Sequence, residues 1–320
     1  MGFGPKLFQF HKKETQYTLR LIPLGGYCMM LSEDDEENEN DENSFEKKSI
    51  WARMAVVLAG PAMNFVIAFL FSMVIIHFCG SDPAIIGAVY NKDNIEKYQI
   101  ENAEEYFNGV YPAEEAGISD GDRVLKIEGS TVKNFRELQI YLQIYGDGSP
   151  IDLTLEKEDG TVYDTTVHPA KTPDGYKIGI MSVGYQLPKN FGELCKYSAY
   201  ETRYWVKATF LSLKLIVTRQ VSSDEVSGPV GVAKNMNDTF NEAAKSSVLD
   251  LFLNWMNYIV LLSANLGVMN LLPIPGLDGG RFIFLLIEAV TRKKVPKDKE
   301  NIVTLIGFVL VMLLMVVILF

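Results

Sequence analysis

Asp278 closes a run of 27 uncharged residues, Leu251 to Leu277. An ionisable side chain at the border of so apolar a stretch is costly, which makes Asp278 a functional-site candidate. The competing reading is a helix-end or turn carboxylate facing water, made easier by Gly279 and Gly280. Asn270 lies inside the same run, and a polar side chain there can hydrogen-bond a neighbouring helix. Between the two, Pro273 and Pro275 remove two backbone donors and predict a helix that breaks after Leu272. Within a bilayer such a break is tolerable only where protein or a water-filled cavity lines it, so the segment fits a hydrated site. Cys28, Cys79 and Cys195 lie far apart with no CxxC pair, which supports neither a disulfide framework nor a cysteine zinc site.

The elements that carry these residues follow from composition. Of 320 residues, 48% are hydrophobic and 22% charged, and the mean hydropathy of +0.08 is high for a soluble protein. Three uncharged runs, Met54–Ser81, Leu251–Leu277 and Asn301–Phe320, are each long enough to cross a hydrocarbon core, which takes about 20 residues. The start, Met1 to Lys6, has no apolar core of a signal peptide, and Lys6 excludes a myristoylation site. Basic residues flank the first run (Lys47, Lys48, Arg53) and fill the stretch between the second and third (Arg281, Arg292 to Lys294, Lys297, Lys299). Both regions are therefore expected in the cytoplasm, with residues 82–250 and the C-terminus outside. The net charge is −10, but Glu33 to Glu46 holds nine acidic residues and no basic one, so the remainder carries only −1. That stretch reads as a disordered cytoplasmic loop; it lacks the turn glycine of an EF-hand. With a pI near 5.0 and no basic cluster, the chain is not a nucleic-acid binder.

Residues 7 to 30 read as a β-hairpin, with Leu7, Phe8, Phe10 and then Tyr17, Leu19, Leu21 on either side of a charged turn, closing at Pro23 and Gly25-Gly26. The outside segment predicts a small mixed α/β domain. A short helix from Pro112 leads to a turn at Gly121-Asp122 and a strand Arg123–Ile127, then a helix Asn134–Tyr145, and two strands joined at Asp159-Gly160. Farther on, Lys196, Arg203, Lys207 and Lys214 recur at helical spacing opposite Trp205, Ala208 and Ile216. A helix lying on the membrane surface and a plain solvated face explain that stripe equally well.

The segment Asn270-Leu-Leu-Pro-Ile-Pro-Gly-Leu-Asp278-Gly279 resembles the NxxPxxxxDG signature of the site-2 protease family of intramembrane zinc metalloproteases. Gly2-Phe3-Gly4-Pro5 with Ile22 to Tyr27 is similar to the membrane-associated β-hairpin of the bacterial sigma-regulating members. Gly60-Pro61 with Asn64 matches the family's second-helix motif, Pro112-Ala113, Ala116-Gly117 and Gly121-Asp122 look like a bacterial PDZ domain, and Ser227 to Gly231 looks like the element before the third helix. The resemblance implies a polytopic α-helical membrane protein of three spans with an N-terminal membrane-associated β-hairpin and an extracytoplasmic PDZ-like mixed α/β domain. The partition is hairpin 1–32, acidic loop 33–50, span 51–81, PDZ-like domain 82–175, and linker with an amphipathic surface helix 176–247. A second span, 248–280, a basic loop, 281–300, and a third span, 301–320, complete it. It implies an inner-membrane location, with 1–50 and 281–300 cytoplasmic, single-span membrane proteins as substrates, the lipid bilayer and a peptide ligand of the PDZ-like domain as partners, and Zn²⁺ as cofactor. Asp278 is then a metal ligand, a place its hard carboxylate oxygen can fill. Asn270 and Pro273 then lie at the substrate, and Gly2, Phe3 and Gly4 belong to a strand edge open to an unwound substrate segment by strand addition.

The family's other metal half, HExxH, sets two histidines one helical turn apart with a glutamate that activates zinc-bound water. It is absent: the histidines are His11, His77 and His168, no two separated by four, and the general-base glutamate is missing with them. In the family that helix lies just before the Gly-Phe-Gly-Pro segment, so the resemblance implies that the missing part is the first span and that Met1 is an internal methionine or the edge of a broken gene. The third run likewise ends at Phe320 without a polar tail. Two functions follow: a zinc endopeptidase that cuts single-span substrates, and a non-catalytic membrane scaffold that binds them through the PDZ-like domain.

Overall fold

The structure, a computed structural model, describes residues 3–12, 15–22, 44–98, 107, 109–217, 229–293 and 295–319. Gly2, the hairpin's closing Pro23 to Gly26, most of the acidic run and Ser227-Gly228 lie outside them. Strands β1 (Phe3–Lys12) and β2 (Thr15–Ile22) pair antiparallel, with Phe10 opposite Tyr17 and Phe8 opposite Leu19. Leu7, Phe8, Phe10, Tyr17 and Leu19 are all exposed on this ribbon.

Helix α1 (Ile50–Cys79) starts where the Ser49 hydroxyl accepts from the Ala52 N–H, an N-cap, and stops at Gly80. A mixed α/β unit follows: β3 (Ile86–Val89), α2 (Lys92–Tyr98), α3 (Pro112–Glu115), β4 (Arg123–Ile127), β5 (Ser130–Thr131), α4 (Phe135–Ile144), β6 (Ile151–Glu156), β7 (Val162–Val167), β8 (Ala170–Thr172), β9 (Gly175–Lys177) and β10 (Ile180–Ser182). Four strands form a sheet in the order β5-β4-β6-β7, and β10 pairs with β3. Alternation in β6 buries Ile151, Leu153 and Leu155 against Leu138, Phe135 and Val124. Helices α5 (Phe191–Val217), α6 (Pro229–Ser246), α7 (Val248–Leu271), α8 (Asp278–Thr291) and α9 (Lys297–Leu319) complete the chain. Among the described residues, α1 and α7 are long and apolar enough to cross a membrane. They run antiparallel: the Phe65 ring covers Gly267 at one end, and Ile75 packs with Val260 toward the other.

Helix α5 lies between this pair and the α/β unit. On one side Trp205 joins Ala68, Ile75 and Val260, and the Thr209 hydroxyl donates to Asn265 on α7. On the other, two members of the basic stripe turn to the α/β unit. Arg203 reaches Glu137 at 3.0 Å and Lys207 reaches it at 3.9 Å, while Lys207 also donates to the Thr131 carbonyl at 2.7 Å. Glu137 additionally accepts the Lys133 N–H at the start of α4, where Asn134 is the N-cap. Its side chain is 1% exposed, so removing it strands two cations. Glu137→Ala is expected to destabilise the protein by about 3 kcal/mol, the lower end for breaking a buried pair because Arg203 is partly in water. Denaturant titration in detergent checks this; a loss under about 0.5 kcal/mol would class the cluster with surface pairs.

Candidate active site

Helix α7 ends because Leu272 turns to extended backbone ahead of Pro273, a conformation the residue before a proline favours. A tight turn follows, with Ile274 N–H donating to Leu272 O at 2.7 Å and Leu277 N–H to Ile274 O at 3.1 Å. Gly276 takes φ +94°, which only glycine adopts without strain. Asp278 is then the first residue of α8, where a carboxylate meets the positive end of the helix dipole.

Glycines set the approach of three elements to this turn. A Cβ on Gly60 of α1 would stand 3.3 Å from the Asp278 Oδ2, so the bare backbone of α1 leaves room for the carboxylate. Cβ atoms on Gly279 and Gly280 would come within 2.2 Å of the Leu272 carbonyl oxygen and 2.4 Å of that of Ile274, so the first turn of α8 sits directly on the broken end of α7. From α9, Gly307 packs so closely that an added Cβ would lie 1.9 Å from the Pro275 carbonyl oxygen. At the opposite end of α8, Glu288 pairs with Arg53 of α1, both largely buried, beside a cluster of Met54, Val57 and Leu285. Helix α8 thus meets α1 at the carboxylate and again nearly three turns later, which fixes where Asp278 points.

The structure brings Asp278 and Gly60 together, and places Asn270 in the last turn of α7 and Pro273, exposed, in the break. Phe3 and Gly4 stand in β1, with Phe3 opposite Ile22. His77 lies in the last turn of α1 with its ring edge-on to Phe78, and His168 follows β7. Sequence reasoning passed over Gly307; its only trace there is that it is the single glycine of the third uncharged run.

A carboxylate thus stands at a helix break beside a glycine of a second apolar helix, inside the spacing Asn270, Pro273, Asp278-Gly279. The model of peptidase family M50 matches residues 1–314. The chain belongs to peptidase family M50, the site-2 proteases. It is 30% identical to the zinc metalloprotease RasP of Geobacillus kaustophilus, over 99% of this chain and 88% of that protein. It is 28% identical to the regulator of sigma-W protease RasP of Bacillus subtilis, again over 99% of this chain and 88% of the relative. These are membrane-embedded zinc metalloproteases by family, and Zn²⁺ is the cofactor of the complete M50 protein. The donor set on hand is smaller than such a centre needs. Among the described residues no group of three or more His, Cys, Asp or Glu side chains converges, whereas a catalytic zinc takes three protein ligands. The described residues therefore assemble no complete centre.

Proposed function

We propose that this M50 chain is the larger part of an intramembrane zinc endopeptidase that cuts single-span membrane proteins near the cytoplasmic face. The observation that carries the reading is the Asp278 carboxylate, set at the α7–α8 break and facing the backbone of α1 at Gly60. In the complete protein Zn²⁺ supplies an activated water for attack on a peptide carbonyl. The contributions of this chain are its own. Asp278 provides one ligand, and Asn270 and Pro273 line the substrate side of the break. The β1–β2 ribbon, with Phe3 and Gly4 on its first strand and Gly2 next before them in the sequence, offers an edge to an unwound substrate. Three spans, α1, α7 and α9, place residues 1–50 and 281–300 in the cytoplasm and the PDZ-like α/β unit outside the plasma membrane, where it reads or excludes substrate ectodomains.

The test is metal removal. Full-length protein reconstituted with a single-span reporter is expected to lose cleavage on treatment with 1,10-phenanthroline and to regain it with added Zn²⁺; cleavage indifferent to the chelator would overturn the reading. One observation favours a second reading for these 320 residues taken alone: no two histidines stand four apart. A non-catalytic scaffold would hold the reporter without cutting it and purify free of zinc, and a stoichiometric zinc content would exclude it.

A further inference from the structure

Where α1 ends, the chain pairs at once with a distant segment. Two residues after Cys79, the Ser81 N–H donates to Gln186 O at 2.9 Å and the Gln186 N–H returns to Ser81 O at 2.8 Å. That bridge fixes residues 183–191 at the height of the last turn of α1. The segment is apolar and outward-facing: Tyr185 is 65% exposed, Leu187 63% and Phe191 71%, with Val183 exposed beside them and Phe78 exposed on α1 itself. Gly184, with φ +85°, turns the chain between Val183 and Tyr185, and the side chains on either side of the Gln186 bridge, Tyr185 and Leu187, are both exposed. Lys189 and Lys196 are exposed in and just beyond it. Behind it a cavity of about 280 Å³ contains Asp82, Arg136 and Glu201, with Tyr185 in its wall. The polar groups there already have partners within the protein, Arg136 in an ion pair with Glu201 and Asp82 accepting from the Ser182 hydroxyl. The row that faces outward is the unmatched surface.

We propose that residues 183–191 form an interfacial anchor, with Tyr185, Leu187 and Phe191 immersed in the outer leaflet at headgroup level and Lys189 and Lys196 reaching lipid phosphates. The occupant is lipid because of position: backbone hydrogen bonds tie the row to the end of a helix long and apolar enough to span. Aromatic rings with an apolar body belong at that depth, and lysines extend their ammonium groups from it toward phosphate. The consequence is geometric. The α/β unit is held against the bilayer at two neighbouring points, the end of α1 and this row, and so keeps a fixed height over the site that α1 and α7 form.

The inference rests on α1 crossing the membrane, and the experiment separates the two. Single cysteines replace Leu187, Phe191, Val162 and Leu70 in the full chain, with Cys28, Cys79 and Cys195 changed to Ser. Each variant is nitroxide-labelled and reconstituted in vesicles of phosphatidylethanolamine and phosphatidylglycerol. Leu70 is exposed on α1; Val162 is exposed on β7, about 14 Å from Ile85 at three strand spacings. The ratio of oxygen to nickel-chelate collisions is expected to be highest at Leu70→Cys, intermediate and clearly raised at Leu187→Cys and Phe191→Cys, and aqueous at Val162→Cys. A lipid ratio at 70 with aqueous ratios at both 187 and 191 would overturn the anchor alone. Shielding of 187 and 191 from both reagents would overturn it in favour of a protein partner. An aqueous ratio at 70 would overturn the span and the anchor with it.

Discussion

Asp278→Asn in the full-length protein is expected to abolish cleavage of a single-span reporter while the fold survives. Asparagine keeps the size of the side chain, so the fit against Gly60 and the start of α8 persist. The lost charge at a helix N-terminus costs about 0.3–1 kcal/mol of stability. The chemistry suffers far more if, as proposed above, the carboxylate oxygen is the ligand this chain brings to the metal. Changes in the groups that merely orient a ligand cost roughly 10- to 100-fold in affinity or activity, and loss of the ligand itself should exceed that range. The measurement is cleavage of the reporter together with bound zinc per protein. Cleavage that persists at the parental rate would remove Asp278 from the metal.

Gly307→Leu is the second large effect and acts without touching the carboxylate. Its Cβ alone would sit 1.9 Å from the Pro275 carbonyl oxygen, so the Pro273–Gly276 turn has to retreat by more than about 1 Å before ordinary contact distance is regained. Overpacking of this kind costs about 1–3 kcal/mol, and a displacement near 1 Å in a reacting constellation costs on the order of 100-fold in rate. Leu305 and Ile306 face away from the turn and are more than half exposed. Leu305→Ala and Ile306→Val are expected to leave both stability and cleavage close to parental. Equal loss in the neighbours and in Gly307→Leu would mean that α9 matters as a helix and not as a seat for the turn.

Much of this was legible in the chain before any coordinates. The uncharged runs set α1 and α7, because apolarity sustained over about 20 residues is a local property. Strand alternation around Ile151, Leu153 and Leu155 set β6, and the prolines after Leu272 set the end of α7. The spacing Asn270, Pro273, Asp278-Gly279 was legible as a candidate site, since all its members fall within ten residues. The basic stripe on α5 is where periodicity ran out. It gave a face of cations but not its neighbour, and Arg203 and Lys207 turned out to serve Glu137, 66 and 70 residues earlier.

What the sequence determined by itself were the quantities that depend on near neighbours: hydropathy, helix breaks, caps, strand alternation and the motif's order. What only the tertiary structure decided were the meetings across long separations. Gly60 opens space for a carboxylate 218 residues away, Gly307 seats a turn from a different helix, and Gln186 ties an apolar row to the end of α1. A glycine in a sequence records only that a side chain is missing; which backbone approaches through the gap is fixed when the helices pack, because close contact is a property of two surfaces and the sequence writes them far apart.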